Sequence, residues 1–138
     1  MFKNQSIKNS CGLRLEPLKK NDEPYLPLFI FDRQTNYFIG STGFNHYDWS
    51  VPCVEIGYWI RSSCAGNGFI TEAVNALTQY AFKQLKVNRV AITCAINNIP
   101  SQKIATRLGY VLEGKLRQNC RTVSGDLSAH LFLLGTIY

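Results

Sequence analysis

The sequence predicts an α/β domain, a mixed β-sheet with two amphipathic helices packed on it. Three observations predict this. The chain has 138 residues, the length of one compact unit. Several short runs alternate apolar and polar residues, as strands with one buried face do. In the second half, helical spacing appears twice, with a β-branched run between the two stretches. The order is strands, helix, strand, helix, strands.

The elements follow in turn. Residues 12–16 alternate and are closed by Pro17, a first strand, and 19–24 read as a polar turn. Residues 28–32 and 37–42 are apolar runs flanking Arg33-Gln34-Thr35-Asn36, a hairpin signal. In 53–61, Val54, Ile56, Tyr58 and Ile60 alternate with Glu55, Gly57 and Trp59. Ile70, Ala73, Val74, Leu77, Tyr80, Ala81 and Leu85 then recur every three or four residues, one stripe of a helix. Residues 88–95 are strand-like. Asn98-Ile99-Pro100-Ser101 opens a second helix, with proline in its first turn and Asn98 or Ser101 as cap. It runs to Leu108 and stops at Gly109. Residues 110–118 and 127–136 are the final strands.

Composition narrows the function classes. Hydrophobic residues at 46% and charged residues at 17% exclude a disordered chain. The longest apolar stretch, 25–31, is broken by Pro27 and falls far short of the ~20 residues that span a bilayer. The first five residues lack an apolar signal core. A cytoplasmic protein without membrane association is expected. Cysteines stand at 11, 53, 64, 94 and 120, an odd number with no Cys-x-x-Cys pair. That pattern argues against a disulfide framework or a metal site and reads as small buried or incidental thiols. His46 and His130 read as structural or surface histidines. The net charge of +6 favours anionic partners such as phosphates, a nucleotide-like cofactor or an acidic or RNA-rich surface. Lys103, Arg107, Lys115, Arg117 and Arg121 form a loose basic group that also reads as solvated surface. No base-stacking motif accompanies it, so specific nucleic-acid binding is not expected.

Chemistry concentrates in 58–72. A strand, a loop with Gly66 and Gly68, and a long helix follow one another. Unpaired N–H groups in a helix's first turn, with the positive end of its dipole, attract anions. Glycines let the preceding loop curl so that successive N–H groups converge on a phosphate. The same glycines would also suit a plain strand–helix turn. A third glycine at the dinucleotide offset is absent, and no Gly-Lys-Ser/Thr follows.

Three segments in order, Glu55-Ile56-Gly57-Tyr58-Trp59-Ile60, then Gly66-Asn67-Gly68-Phe69-Ile70-Thr71-Glu72-Ala73, then Asn98 through Gly114, resemble the GNAT superfamily of acetyl-coenzyme A-dependent N-acetyltransferases. The resemblance is nearest to the group acting on ribosomal-protein N-termini and covers about 28–138. It implies a mainly antiparallel sheet with a V-shaped splay between two parallel central strands. It implies acetyl-coenzyme A as cosubstrate, and a peptide or small-molecule primary amine as acceptor. The family's pyrophosphate loop, Gln/Arg-x-x-Gly-x-Gly/Ala, falls on residues 63–68. Ala65, Gly66, Asn67, Gly68 and Phe69, then Ile70 and Thr71 of the helix, would hold the pyrophosphate. Ser63 and Ala65 replace the family's polar or cationic residues, and Arg61 is placed to compensate. Backbone groups of Trp59, Ile60 and Arg61 would pair with the pantetheine like an added strand. Asn98 matches an asparagine that bonds the pantetheine, or it caps the helix. Lys103 lies where relatives hold the 3′-phosphate, or is simply solvated.

Many relatives have a tyrosine four residues before the glycine that Gly109 matches; here that position is Ala105. Ser101 matches the serine of the ribosomal-protein group and is the candidate donor to the leaving sulfur, or a helix-start residue. Glu55 is the candidate base, directly or through water, or a surface carboxylate, with His46 and Asp48 in reserve. The family's first strand is followed by two helices. Residues 18–27 are too few for two normal helices, so 1–27 form an atypical, shortened start within a single 1–138 domain. That leaves an open acceptor groove, a wall borrowed in a homodimer at the 28–42 hairpin edge or the groove, or a coenzyme A- or partner-binding module without catalysis.

Overall fold

In the computed structural model, which describes residues 7–8, 13–17 and 26–136, the alternating runs assemble into one sheet. The elements are β1 (Ile7–Lys8), β2 (Leu13–Pro17), β3 (Leu26–Asp32), β4 (Phe38–Asp48), β5 (Cys53–Ile60), α1 (Phe69–Lys83), β6 (Arg89–Ala95), α2 (Ile99–Arg107), β7 (Val111–Arg121) and β8 (Leu127–Thr136). The expected polar turn 19–24, Gly12 of the first strand and Cys11 lie outside the described residues. Strand order is β1-β2-β3-β4-β5-β6-β8-β7. Every neighbouring pair is antiparallel except β5 with β6.

The β3–β4 turn closes on Asp32. Its carboxylate accepts from the Thr35 N–H and hydroxyl, and from the Gln34 N–H, bonds that hold it below the usual carboxylate range. β4 runs to Asp48, beyond the expected 42, because the apolar alternation stops at Phe44 while the ladder to β5 continues past a bulge between Phe44 and His46. β3 pairs with β2 on one side and β4 on the other. The 28–42 hairpin therefore presents no free edge, which corrects one of the two expected dimer surfaces. The edges of the described sheet are β1 and β7.

The core lies between one face of the sheet and α1. Ile70, Ala73, Val74, Leu77 and Ala81 bury their side chains against Leu28, Ile30, Phe44, Val54 and Ile56. α1 is also tied to the residue before β7. Thr78 donates its hydroxyl proton to the Val74 carbonyl at 2.7 Å, so the Tyr110 hydroxyl, 2.8 Å away, must be the donor to Thr78. Gly109 has φ of 80° and ends α2, where a side chain would strain the backbone.

The parallel pair positions everything that follows. β5 and β6 are in register at Cys53–Arg89, Val54–Val90 and Glu55–Ala91, and then part. The expected V-shaped splay is present, with its closed end at Glu55.

Candidate active site

Beyond the Glu55–Ala91 rung, β5 has no strand partner on its β6 side. The register against β4 decides which of its backbone groups are unpaired there. The Arg61 N–H donates to the Ile39 carbonyl at 3.0 Å, and Ser41–Trp59 and Gly43–Gly57 stand in the same phase of the ladder. Tyr58 and Ile60 are in the alternate phase, so their N–H and C=O groups face the gap. This differs from the expectation for Trp59, whose backbone groups face β4, and for Arg61, whose N–H bonds to Ile39 of β4 while its carbonyl accepts from the Cys64 N–H. Ile60 and Tyr58 are the residues of β5 whose backbone groups face the gap.

The gap is a cavity of about 380 Å³ lined by Ile56–Ile60 on one strand and Thr93–Ala95 on the other. It continues past Ile60, Ile70, Pro100 and Ile104, which line both spaces, into a groove of about 460 Å³ at the start of α1. The loop there is built to present donors. The N–H groups of Cys64 and Ala65 bond back to Arg61 and Ser62. The Asn67 side chain donates to the Cys64 and Ala65 carbonyls at 3.1 and 3.3 Å, turning those oxygens inward. From Gly66 through Thr71 no peptide N–H has an acceptor in the described chain, and the helix's own bonding begins with Glu72 to Gly68. Gly66 and Gly68 have φ of 80° and 77°, and a Cβ on either would meet no protein atom within 4 Å. The glycines thus serve a left-handed backbone with open space before it, a cradle of N–H groups at the positive end of α1.

Ala65, Gly66, Gly68, Phe69, Ile70 and Thr71 line this groove, whereas the Asn67 side chain is turned back onto the loop. Ala65 contributes surface but not its N–H, and Arg61 does not supply the missing cation. The Arg61 guanidinium stacks over the Tyr37 ring, 5.0 Å from its centroid, and reaches the Phe38 carbonyl. The cations at the groove are Lys103 and Arg107, one turn apart on α2. Arg107 was visible in the sequence only as one of a loose basic group. The i, i+4 spacing to Lys103 was the signal that both share a face.

Ser101 is 7% exposed and faces the gap from the first turn of α2. Its Oγ lies 2.6 Å from the Tyr58 hydroxyl, which also reaches the Ser101 carbonyl at 3.2 Å. Burial pushes the Tyr58 phenol up, opposed by the Ser101 bond, so it carries its proton at neutral pH. Burial likewise raises the Cys94 thiol, and the neighbouring Ser101 hydroxyl lowers it. Tyr58 and Cys94 are site residues the sequence reading missed. The signal was a hydroxyl at 58 within the apolar set Val54, Ile56, Ile60, since a phenol on a buried face needs a partner.

Asn98 caps α2, its Oδ1 accepting from the Ser101 N–H at 3.2 Å. Glu55 is half-buried at the closed end of the gap, on the sheet face opposite Tyr58 and Ser101, with His46 as its cross-strand partner. The structure does not bring Glu55 and Ser101 together. Asp48 is removed as a reserve base. Its carboxylate accepts from the Ser50 hydroxyl and from the Ser50 and Val51 N–H groups, bonds that depress its pKa and commit it to a turn.

Among the described residues no cluster of His, Cys, Asp or Glu suits a metal ion, and no helix is long and apolar enough to cross a membrane. Donor cradle, paired cations, continuous groove and unpaired strand fit a long molecule with a diphosphate at one end and an extended amide arm at the other.

Comparison with known proteins agrees with that shape. The family model described as acetyltransferase (GNAT) domain matches residues 5–111. A putative ribosomal N-acetyltransferase of Bacillus subtilis (strain 168) is 48% identical over 63 residues, 46% of this chain and 34% of the relative. A ribosomal-protein-serine acetyltransferase of Escherichia coli (strain K12) is 33% identical over 94 residues, 68% of this chain and 52% of the relative. The chain thus spans from about a third to about half of the length of these two relatives. A ribosomal L7/L12 alpha-N-protein acetyltransferase solved in complex with coenzyme A shares the fold, with TM-score 0.85 at 20% identity over 96% of this chain and 98% of that one. By its family match and the splayed strands with their donor loop, the chain belongs to the GNAT acetyltransferase domain family.

Proposed function

We propose that the protein is an N-acetyltransferase that moves the acetyl group of acetyl-coenzyme A to a primary amine, a protein N-terminus or a small amine. The observation that carries this reading is the continuity of the two spaces. The N–H cradle at Gly66–Thr71 opens directly into the gap where Tyr58 and Ser101 hold their hydroxyls. The cradle and the Lys103–Arg107 pair would take the phosphates. The free groups of Tyr58 and Ile60 would pair with the pantetheine as a strand would, with Asn98 at the mouth. That arm delivers the thioester to Ser101.

The chain's own residues supply positioning and proton transfer. Holding amine and thioester together removes much of the entropic barrier. A peptide N–H facing the gap can stabilise the carbonyl oxygen as it gains charge. Tyr58 donating to Ser101 Oγ leaves the serine proton free for the departing sulfur. The described cysteines are free thiols, which suits a reducing cytoplasm. A homodimer is part of the same reading.

The test is thiol release from acetyl-coenzyme A against a panel of small amines and N-terminal peptides. Turnover with at least one amine is expected. A protein that binds coenzyme A yet acetylates nothing would instead be the non-catalytic module that Ala105 and the eight-residue β2–β3 link, 18–25, also suit.

A further inference from the structure

The gap has a second polar side chain at the level of Ser101, on the other face of the sheet. His130 of β8 pairs with Ala95 of β6 and lines the gap. Cross-strand partners share a face, and Ala95 points away from the face of Cys94, which holds Ser101. His130 and Ser101 therefore flank one opening from its two sides.

The histidine's proton is placed by its neighbour. The His130 backbone N–H, an unambiguous donor, lies 3.0 Å from Asn119 Oδ1. The atom facing it must be the amide oxygen, not the nitrogen. That oxygen is also 3.1 Å from His130 Nδ1. An oxygen acceptor requires Nδ1 to carry the hydrogen, which leaves Nε2 bare, a lone pair available as a base.

The backbone is distorted where Asn119 sits. From Leu116 to Cys120, β7 takes four steps against two on β8, between His130 and Ser128. Gln118, a non-glycine, has φ of 51°. Bulges of this kind re-aim side chains beside active sites, and this one sets Asn119 on His130. Glu55, by contrast, lies three residues from Tyr58 toward the closed end, about 10 Å at strand rise.

We propose that His130 is the general base of the acetyl transfer and that Asn119 is its positioning residue, an inference that rests on the acyl-transfer reading above. An acceptor arriving as ammonium gives one proton to Nε2, which passes it to water. The freed nitrogen lone pair forms the bond to the acetyl carbon as the carbon–sulfur bond breaks. The second N–H proton leaves to solvent by the same route. Ser101 gives its proton to the sulfur and recovers one from solvent through Tyr58. Amide, thiol and one net proton are the products.

The experiment uses His130→Ala, His130→Gln and Asn119→Ala in the full chain, with circular dichroism to establish folding. Both histidine variants should bind coenzyme A like the wild type and lose about 10²–10⁴-fold in turnover. Added imidazole should restore part of the rate to His130→Ala and none to His130→Gln. Nitrogen-15 shifts should show the Nδ1–H form in the wild type and a mixture in Asn119→Ala. An active wild type with an indifferent His130→Ala, or an Nε2–H ring in the wild type, overturns the base assignment alone. A wild type that acetylates no amine overturns the acyl-transfer reading and the base with it.

Discussion

Ser101 and Tyr58 share the shortest hydroxyl contact facing the gap, and the direction of its proton decides what Ser101 can do. If the phenol donates to Oγ, the serine hydrogen is free to meet a sulfur. If the phenol donates to the Ser101 carbonyl instead, Ser101 gives its hydrogen to Tyr58. Removing the serine hydroxyl should lower turnover by about 10²-fold and leave coenzyme A affinity nearly unchanged, because the bond strengthens as the thiolate leaves. Tyr58→Phe should show a smaller loss of the same kind. Stopped-flow transfer and calorimetry on both variants check this, and equal losses of affinity and rate would assign the pair to binding. Tyr110 makes a second prediction. Burial pushes its phenol up to about 12, against the opposing bond with Thr78. The folded pKa is above the unfolded one, so the stabilisation is complete below about pH 10 and is lost as pH rises toward about 12. Tyr110→Phe has no such proton. It should cost about 1 kcal/mol near neutral pH and make the alkaline fall in stability shallower by about 2–3 kcal/mol, measured by urea unfolding across that range.

The loop before α1 works as a unit, because Asn67 turns two carbonyls inward while the following N–H groups point out. Gly66→Val puts a branched side chain into the cradle on a left-handed backbone. The strain costs about 1–2 kcal/mol, and a lost charge-assisted bond lowers coenzyme A affinity roughly 10–150-fold. Calorimetry on the folded variant should show that loss, and undiminished binding would move the phosphate site elsewhere. This element was legible in the sequence because two glycines between a strand and a helical stripe leave few conformations. α2 was equally legible from Asn98, Pro100 and Gly109. Tyr58, Arg107 and His130 were not, for a shared reason. Tyr58 and His130 acquire their roles from residues met only in the fold, at 101 across the gap and at 119 across a bulge, and Arg107 from the groove that α2 faces, whereas periodicity reports only which face a side chain is on. The 28–42 hairpin was misjudged as an edge for the same cause. Local pattern gives strands, whereas the pairing of β3 with β2 is a long-range choice.

At the scale of the whole molecule, the sheet ends at β7, and that edge carries the last prediction. β7 is 11 residues long and pairs only with β8 among the described strands. Val111, Leu112 and Leu116 are 66, 55 and 42% exposed along it. Long apolar edges recruit another strand unless they are blunted. Two features blunt this one. The bulge between Leu116 and Cys120 breaks the ladder at the far end, and Lys115, Arg117 and Arg121 place like charge on the strand. A smaller irregularity lies between Leu112 and Gly114, yet residues 111–116 stay paired with β8 on either side of it, and two copies meeting there would continue the sheet from one chain into the other. The contact would also bring the partner's β7 beside the strand that carries Asn119, so that assembly and acceptor side adjoin. Light scattering at micromolar concentration should give twice the chain mass. Salt should strengthen the association, since repulsion between the basic side chains is screened over ~8 Å at physiological ionic strength. Leu112→Lys, which adds charge within the pairing stretch, should return a folded monomer. A wild-type monomer at every salt concentration would show that the bulge and the cations suffice to keep the edge alone, and that the acceptor groove is completed within one chain.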